Sequence, residues 1–378
     1  MSRLNIIGGG ISGLSAALGS IGGDVETHVW EKKKEIGSLY KSTGGIARYW
    51  IENLPFSIRW EKAVVDVIRE VVIYPPDMEY PEVKLSSSTT IGYVLDQPTL
   101  EKTIEKKVRD DGVEIHRGVT INSINSMKDY IIGADGAFST VARETVGLPD
   151  RWHMHKCLEY WFPREERSHR LEIYFRQYCP RGYIWVFPAG EYVKIGAGIP
   201  VAEKLELREI ISRFLEETHY GRIGMHVGVY GGVVPTARPL APAVISPRNN
   251  IALVGDAGRL VNSATGGGIH FALLSGYYAA RSVATGHGFM LYKTWYSDKI
   301  YPQLERWYRI RSILTSSSPK ELSEIISIAG DVIAKTFMDG LSTLNPLQLL
   351  FIVLANIALH PKTSIGVLSR LFLGEKNG

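Results

Sequence analysis

The sequence predicts an α/β protein in which a parallel-sheet nucleotide-binding lobe is interleaved with an antiparallel-sheet substrate lobe and followed by a helical C-terminal segment. Three observations predict it. A short apolar strand, a glycine cluster and a small-residue helix open the chain; aromatic and polar positions alternate through residues 156–200; and an apolar strand with a second glycine-rich turn and a long helix follows residue 251. A buried run ahead of glycines and a helical pattern marks a βαβ unit, whereas period-two alternation marks half-buried strands. At 378 residues the chain exceeds the ~250–300 at which one core stops growing. Two lobes with a site between them are expected.

Residues 4–7 (Leu-Asn-Ile-Ile) form the first strand, Leu14 to Leu18 a tightly packed helix, and Val25 to Glu31 the next strand. From about Gly44 to Leu85 the pattern turns irregular, with Pro55, Pro75, Pro76 and Pro81 interrupting runs such as Val71 to Tyr74, so this stretch leaves the first lobe. Asp96-Gln97-Pro98 starts a charged helix over Thr99 to Val108, and Gly112 to Val119 reads as a strand back in that lobe. Leu171 to Phe175, Tyr183 to Phe187 and Tyr192 to Ile199 make the antiparallel sheet. Ile251 to Val254 and a helix from about Gly268 to Ala284 complete the nucleotide lobe. The expected boundaries are 1–50, 86–150 and 245–285 for that lobe, 51–85 and 151–244 for the substrate lobe, and 286–378 for the helical region.

The composition, 45% hydrophobic and 22% charged, is globular, and a net charge of +4 is too small to argue for nucleic acid. A mildly basic face still suits an anionic lipid surface. Cys157 and Cys179 have neither metal-ligand spacing nor a disulfide framework and read as structural thiols. No metal site is expected. Met1-Ser2-Arg3-Leu4 runs straight into a strand, so no leader peptide and a cytoplasmic location are expected.

Gly8-Gly9-Gly10-Ile11-Ser12-Gly13 satisfies G-x-G-x-x-G between a strand and a helix, and Glu31 ends the following strand. In this Rossmann-like setting the first glycine makes the turn, the second admits a pyrophosphate to the backbone, and the third lets helix meet strand. Glu31 is placed to accept from a ribose diol. Downstream, Ile132-Gly133-Ala134-Asp135-Gly136 and Val254-Gly255-Asp256-Ala257-Gly258 are two further strand-end turns.

The three motifs in this order resemble the p-hydroxybenzoate hydroxylase superfamily of flavoproteins over residues 4 to about 285. That resemblance implies FAD, with Gly8, Gly10, Ser12, Gly13 and Glu31 holding its ADP half, Asp256 its ribityl or pyrophosphate region, and Gly267, Gly268 and Ile269 meeting the isoalloxazine. Arg181 to Gly190 (containing Tyr183-Ile184-Trp185-Val186-Phe187-Pro188), Gly231 to Pro235 and Asn262 to His270 resemble, more narrowly, the geranylgeranyl reductase family. In that family reduced FAD delivers hydride from N5 to isoprenoid double bonds of geranylgeranyl lipids. Ser42 to Arg48 occupies the loop where relatives approach the flavin, often with a cysteine absent here, and this makes Gly45, Ala47 and Arg48 cofactor candidates. Relatives commonly carry arginine where Gln97 stands; Gln97 can bond a phosphate but not neutralise it.

Tyr183, Trp185 and Phe187 share one face of a strand and are the expected wall of a polyprenyl pocket. His270 and Tyr183 are the candidate proton donors. The partners expected are a polyprenyl lipid and an electron donor, either NAD(P)H, ferredoxin or another reductant. Two other readings are a flavin-dependent monooxygenase of an aromatic or terpenoid substrate, since one fold serves both chemistries, and a non-catalytic prenyl-lipid carrier with structural FAD. Leu347 to Leu359, between Pro346 and Pro361, is apolar but too short to span a ~30 Å hydrocarbon core. It is expected to pack on the protein or to rest peripherally on a membrane.

Overall fold

Leu4 to Ile7 are all buried, and they carry strand β1 (Ser2–Ile7) into the middle of a five-stranded sheet. The computed structural model describes residues 2–127, 129–164, 166–241 and 250–327. The sheet runs β15 (Ile251–Leu253), β9 (Tyr130–Gly133), β1, β2 (Val25–Glu31), β8 (Glu114–Arg117), and every pair is parallel. Helix α1 (Ile11–Ser20) crosses between β1 and β2 and packs on α6 (Ile269–Ala284). Their approach is a backbone contact: a Cβ on Gly276 would lie 2.1 Å from the Ser12 carbonyl oxygen, and one on Gly19 2.2 Å from that of Tyr277. That is why the helix had to be rich in small residues.

Helix α3 (Gln97–Asp110) begins two residues before the predicted start, because the Asp96 carboxylate caps it by accepting from Thr99 N at 2.8 Å, with Pro98 in the first turn. The second lobe is a seven-stranded sheet in the order β14 (Gly228–Pro235), β10 (Met154–Pro163), β13 (Tyr192–Pro200), β12 (Tyr183–Ala189), β11 (Arg170–Tyr174), β5 (Glu70–Tyr74), β6 (Val83–Ser86). It is mixed rather than purely antiparallel, since β11 and β5 pair in parallel. The chain returns to the first lobe between them, a crossover long enough for parallel pairing. Helix α5 (Leu207–Glu217) closes one face, with Leu207, Ile210, Ile211 and Phe214 against Ile184, Val186 and Ile195.

A small antiparallel sheet, β3 (Gly45–Ala47), β7 (Gly92–Leu95) and β4 (Val64–Ile68), joins segments expected in different lobes. Three short helices, α2 (Arg48–Glu52), α4 (Thr140–Thr145) and α7 (Met290–Trp295), precede α8 (Tyr301–Ser316). The Asp135 turn serves α4: its carboxylate accepts from Ser139 Oγ at 2.5 Å and Thr140 N at 2.6 Å. Leu347 to Leu359 lies outside the described residues. Among the described residues no helix is long and apolar enough to cross a membrane.

Candidate active site

Two glycines of the opening motif are sterically compelled. Gly8 has φ of 106°, and a Cβ there would sit 2.4 Å from the Ala134 carbonyl oxygen; on Gly13 it would sit 1.8 Å from that of Gly8. Gly10 differs. Its only neighbour within 4 Å of a built Cβ is Glu101 Oε1 at 3.8 Å, so the N-terminus of α1 faces open space. That end has no side-chain cap and no acidic residue in its first turn, leaving N–H groups for an anion. Glu31, buried, accepts from Gly9 N at 2.6 Å and Lys33 N at 2.8 Å. Each carboxylate oxygen keeps a lone pair for a ribose hydroxyl.

Gln97 does not aim at this space. Its carbonyl oxygen accepts from Lys41 N at 2.9 Å and its amide donates to Glu101 Oε1 at 2.8 Å, so it ties the loop after β2 to α3. Glu101 is buried with Oε2 unpartnered, and burial raises its pKa. Lys41, whose backbone N–H donates to Gln97, carries an ammonium that feels Lys33, Glu101 and Glu31 and itself acts on Asp256. Desolvation, then Lys33, lowers the Lys41 pKa against the pull of the two glutamates. Asp256 makes no hydrogen bond through its carboxylate among the described residues, and burial pushes it up to about 6.

The turn before α6 is held by Asn262, whose side-chain oxygen accepts from Ala264 N at 3.1 Å and Thr265 N at 3.2 Å. Gly266 has φ of 71°, and α6 starts at Gly268 without a side-chain cap. Gly267 N donates to Thr265 Oγ1 at 3.3 Å, and the buried Ser263 hydroxyl has no hydrogen-bond partner among the described residues. Facing this turn across a cavity of about 140 Å3 are Gly45, Ala47, Trp50 and Phe187. Arg48 does not join them: it is paired with Glu52 at 2.8 Å on the surface.

Neither proton-donor candidate is free to act as expected. His270 lines the cavity but stacks on Trp50, centroids 4.8 Å apart, and burial holds it neutral with its pKa at about 3. The Tyr183 hydroxyl donates to the Thr265 carbonyl, and burial raises its pKa. Tyr183 thus braces the turn. Burial also pushes Cys157 up to about 12 and raises Cys179, which disfavours the thiolate at both.

Tyr183 and Trp185 also line a larger cavity of about 310 Å3, bounded by Phe175, Cys157, Ser263 and Leu322. The indole lies flat because Gly196 is its partner on β13, where a Cβ would come within 2.4 Å of the ring. Beneath it is a group the sequence reading missed. Buried Glu159 accepts from Trp185 Nε1 at 2.8 Å, Trp161 Nε1 at 2.8 Å and Thr43 Oγ1 at 2.6 Å. Buried Lys194 donates to the Thr43 carbonyl at 2.8 Å and lies 4.4 Å from the centroid of Trp161. Through the hydroxyl and the carbonyl of Thr43, these two buried charges fasten the Ser42–Gly45 loop to the aromatic sheet. The available signal was the lysine inside the otherwise apolar and buried β13. Remote from the cleft, ligand atoms of His28, Glu114 and His116 all lie within 4.8 Å of one another, a grouping that a separation of some eighty residues hides.

The fold and cleft define an FAD-dependent oxidoreductase architecture. The geranylgeranyl reductase catalytic domain matches residues 154–234, the span of β10 to β14. Digeranylgeranylglycerophospholipid reductase of Methanococcus vannielii is 26% identical over 355 residues, covering 85% of this chain and 88% of the relative. The enzyme of that name from Thermoplasma acidophilum is 27% identical, covering 73% and 76%. A crystal structure of a geranylgeranyl bacteriochlorophyll reductase-like protein from Thermoplasma acidophilum superposes with TM-score 0.78 at 21% identity, covering 98% of this chain and 99% of that one. CtdE, solved with FAD and a substrate, gives 0.67 at 15%, covering 97% and 100%. The chain is thus similar in sequence to digeranylgeranylglycerophospholipid reductases over most of its length, and its residues 154–234 match the geranylgeranyl reductase catalytic domain.

Proposed function

We propose that this protein reduces double bonds of geranylgeranyl chains in glycerophospholipids or related polyprenyl compounds, using FAD held noncovalently in the cleft. The observation that carries this reading is the larger cavity, whose aromatic wall of Tyr183 and Trp185 is built from the matched residues 154–234 and shares Tyr183 with the turn before α6. The residues present fit FAD: the N-terminus of α1 faces open space beside Gly10, and among the described residues the carboxylate of Asp256 and the hydroxyl of Ser263 have no hydrogen-bond partner.

Gly8, Gly10 and Gly13 would admit the pyrophosphate to the start of α1, Ser12 would stand in its first turn, and Glu31 would take the ribose diol. Lys41 would neutralise phosphate in place of an arginine at 97, and Asp256 would bond a hydroxyl of the ribityl chain. Gly267, Gly268 and Ile269 would aim the uncapped start of α6 at the flavin ring, where partial positive charge stabilises an anionic reduced state. Reduced FAD, when bound, supplies the hydride. The chain's own part is orientation and exclusion of water: the Glu159–Lys194 pair holds the Thr43 loop against Trp185, Phe187 packs under Gly45, and Tyr183 fixes the Thr265 turn. With His270 neutral and Tyr183 committed, the proton is best supplied by water or the lipid's surroundings.

The test is product mass after anaerobic incubation of the chemically reduced protein with a geranylgeranyl lipid. A gain of two hydrogens per reduced bond supports the reductase. Oxygen gained only in air assigns the monooxygenase instead, and an unchanged lipid beside a cycling flavin removes this substrate class.

A further inference from the structure

No aspartate or glutamate is among the residues bounding the larger cavity, yet three arginines are: Arg176, Arg181 and Arg311. Arg181 is paired with Glu203 at 2.7 Å, and the Arg176 guanidinium reaches the Pro75 and Phe175 carbonyls and lies over Tyr174. Arg311, on α8, is different. It is 8% exposed, and its contacts among the described residues are neutral: His155 Nε2 at 3.2 Å and the Trp152 carbonyl at 3.4 Å.

His155 cannot share the charge. Burial first, and the guanidinium beside it second, hold it neutral with its pKa at about 3. His155 Nε2 lies 3.2 Å from both the Arg311 guanidinium and the Arg181 carbonyl oxygen, and in the tautomer that donates from Nδ1 to Thr236 Oγ1, 3.0 Å away, Nε2 accepts from Arg311. The imidazole and the Trp152 carbonyl thus aim a fork of five N–H donors and use two of them. A guanidinium withdrawn from water with no counter-charge costs several kcal/mol by the order-of-magnitude penalty for buried ions. Such a group is stable where a ligand brings the charge, and the planar fork matches two oxygens of a phosphate.

We propose that Arg311, oriented by His155, binds the phosphate of an amphiphilic substrate whose apolar chain lies along Tyr183 and Trp185. This rests on the reading of the cavity as a prenyl-lipid site and deepens it: the cavity selects chains that bear a phosphate or diphosphate head.

The test compares geranylgeranyl diphosphate with geranylgeraniol, which has the same chain without phosphate, by equilibrium binding to the FAD-loaded protein followed through tryptophan fluorescence. The wild type is expected to favour the diphosphate by about 10–100-fold, the range for charge-assisted hydrogen bonds. Arg311→Gln is expected to abolish that preference and leave geranylgeraniol binding unchanged, while Arg311→Lys keeps part of it. Inorganic phosphate as competitor separates the two sources of the anion: weak competition supports a lipid head, whereas phosphate binding as tightly as the lipid overturns the proposal in favour of a free-anion site. Equal affinity for both lipids in the wild type, or an unchanged preference in Arg311→Gln with retained FAD and melting temperature, also overturns it. Anaerobic reduction of geranylgeraniol by the wild type is scored separately. Absence of reduction with geranylgeranyl diphosphate as well counts against the reductase reading, whereas reduction of both lipids with an unchanged preference counts against Arg311 alone.

Discussion

The glycine cradle and the aromatic sheet are built on different length scales. In the cradle, Gly8, Gly10, Gly13 and Glu31 act through backbone within some two dozen residues, and a single added Cβ meets a carbonyl oxygen at 1.8 Å. In the sheet, Trp185 is held by Glu159, Glu159 by Thr43, and Thr43 by Lys194, a chain of hydrogen bonds spanning 151 residues at its widest. At Gly8 and Gly13 the cradle tolerates no added side chain. The sheet tolerates no change of charge, because its polar groups satisfy only one another.

Substitutions sharpen that contrast. Gly13→Ala is expected to have the largest effect, because the clash is with rigid backbone. Purified protein should carry no FAD, and chemical denaturation should show a loss above ~3 kcal/mol, beyond the usual range for one substitution. Next is Glu159→Ala, which strands Lys194 in the core and should cost ~3–5 kcal/mol. Adding Lys194→Met should restore a large part of it, and no recovery in the double variant would break the proposed pairing.

Lys41→Gln should weaken FAD by about 10–100-fold, as loss of a charge-assisted phosphate contact does, with stability of the FAD-free protein unchanged. Titration calorimetry decides between this and a solvated surface lysine, for which the affinity would not move.

Asp256 gives a pH signature. Its folded pKa, about 6, lies above the ordinary 3.8, so in the FAD-free protein its contribution to stability is full below pH 4 and is lost as pH rises through 6. Asp256→Asn removes that loss. The variant should gain about 1–3 kcal/mol on the wild type between pH 4 and 7 while binding FAD less tightly. The smallest effect is expected at Arg48→Ala, within ~0.5 kcal/mol for an exposed i,i+4 pair and without change in FAD affinity.

Much of the cradle was legible because its signals are local. The strand–glycine–helix order, Glu31 at the end of β2 and the start of α6 can each be read within about twenty residues. The polar candidates whose side chains are engaged elsewhere share one cause. Gln97 and Arg48 have suitable chemistry at suitable positions, but Gln97 is consumed by Lys41 N and Glu101, and Arg48 by Glu52 one helical turn away. His270 stands beside the turn as expected, yet stacking on Trp50 deprives it of charge. Whether a polar side chain is available depends on partners that only the folded chain assembles. Glu159 and Arg311 escaped sequence reading for the converse reason: partners distant in sequence, Trp185 and Thr43 for the one and His155 for the other, define their settings.

The most direct measurement of the central claim is reoxidation of the reduced, FAD-loaded protein under strict exclusion of oxygen when a geranylgeranyl glycerophospholipid is added. Return of the oxidised flavin absorbance in proportion to lipid hydrogenated is the expected result. A flavin that stays reduced until air is admitted, with the lipid unaltered, would contradict it.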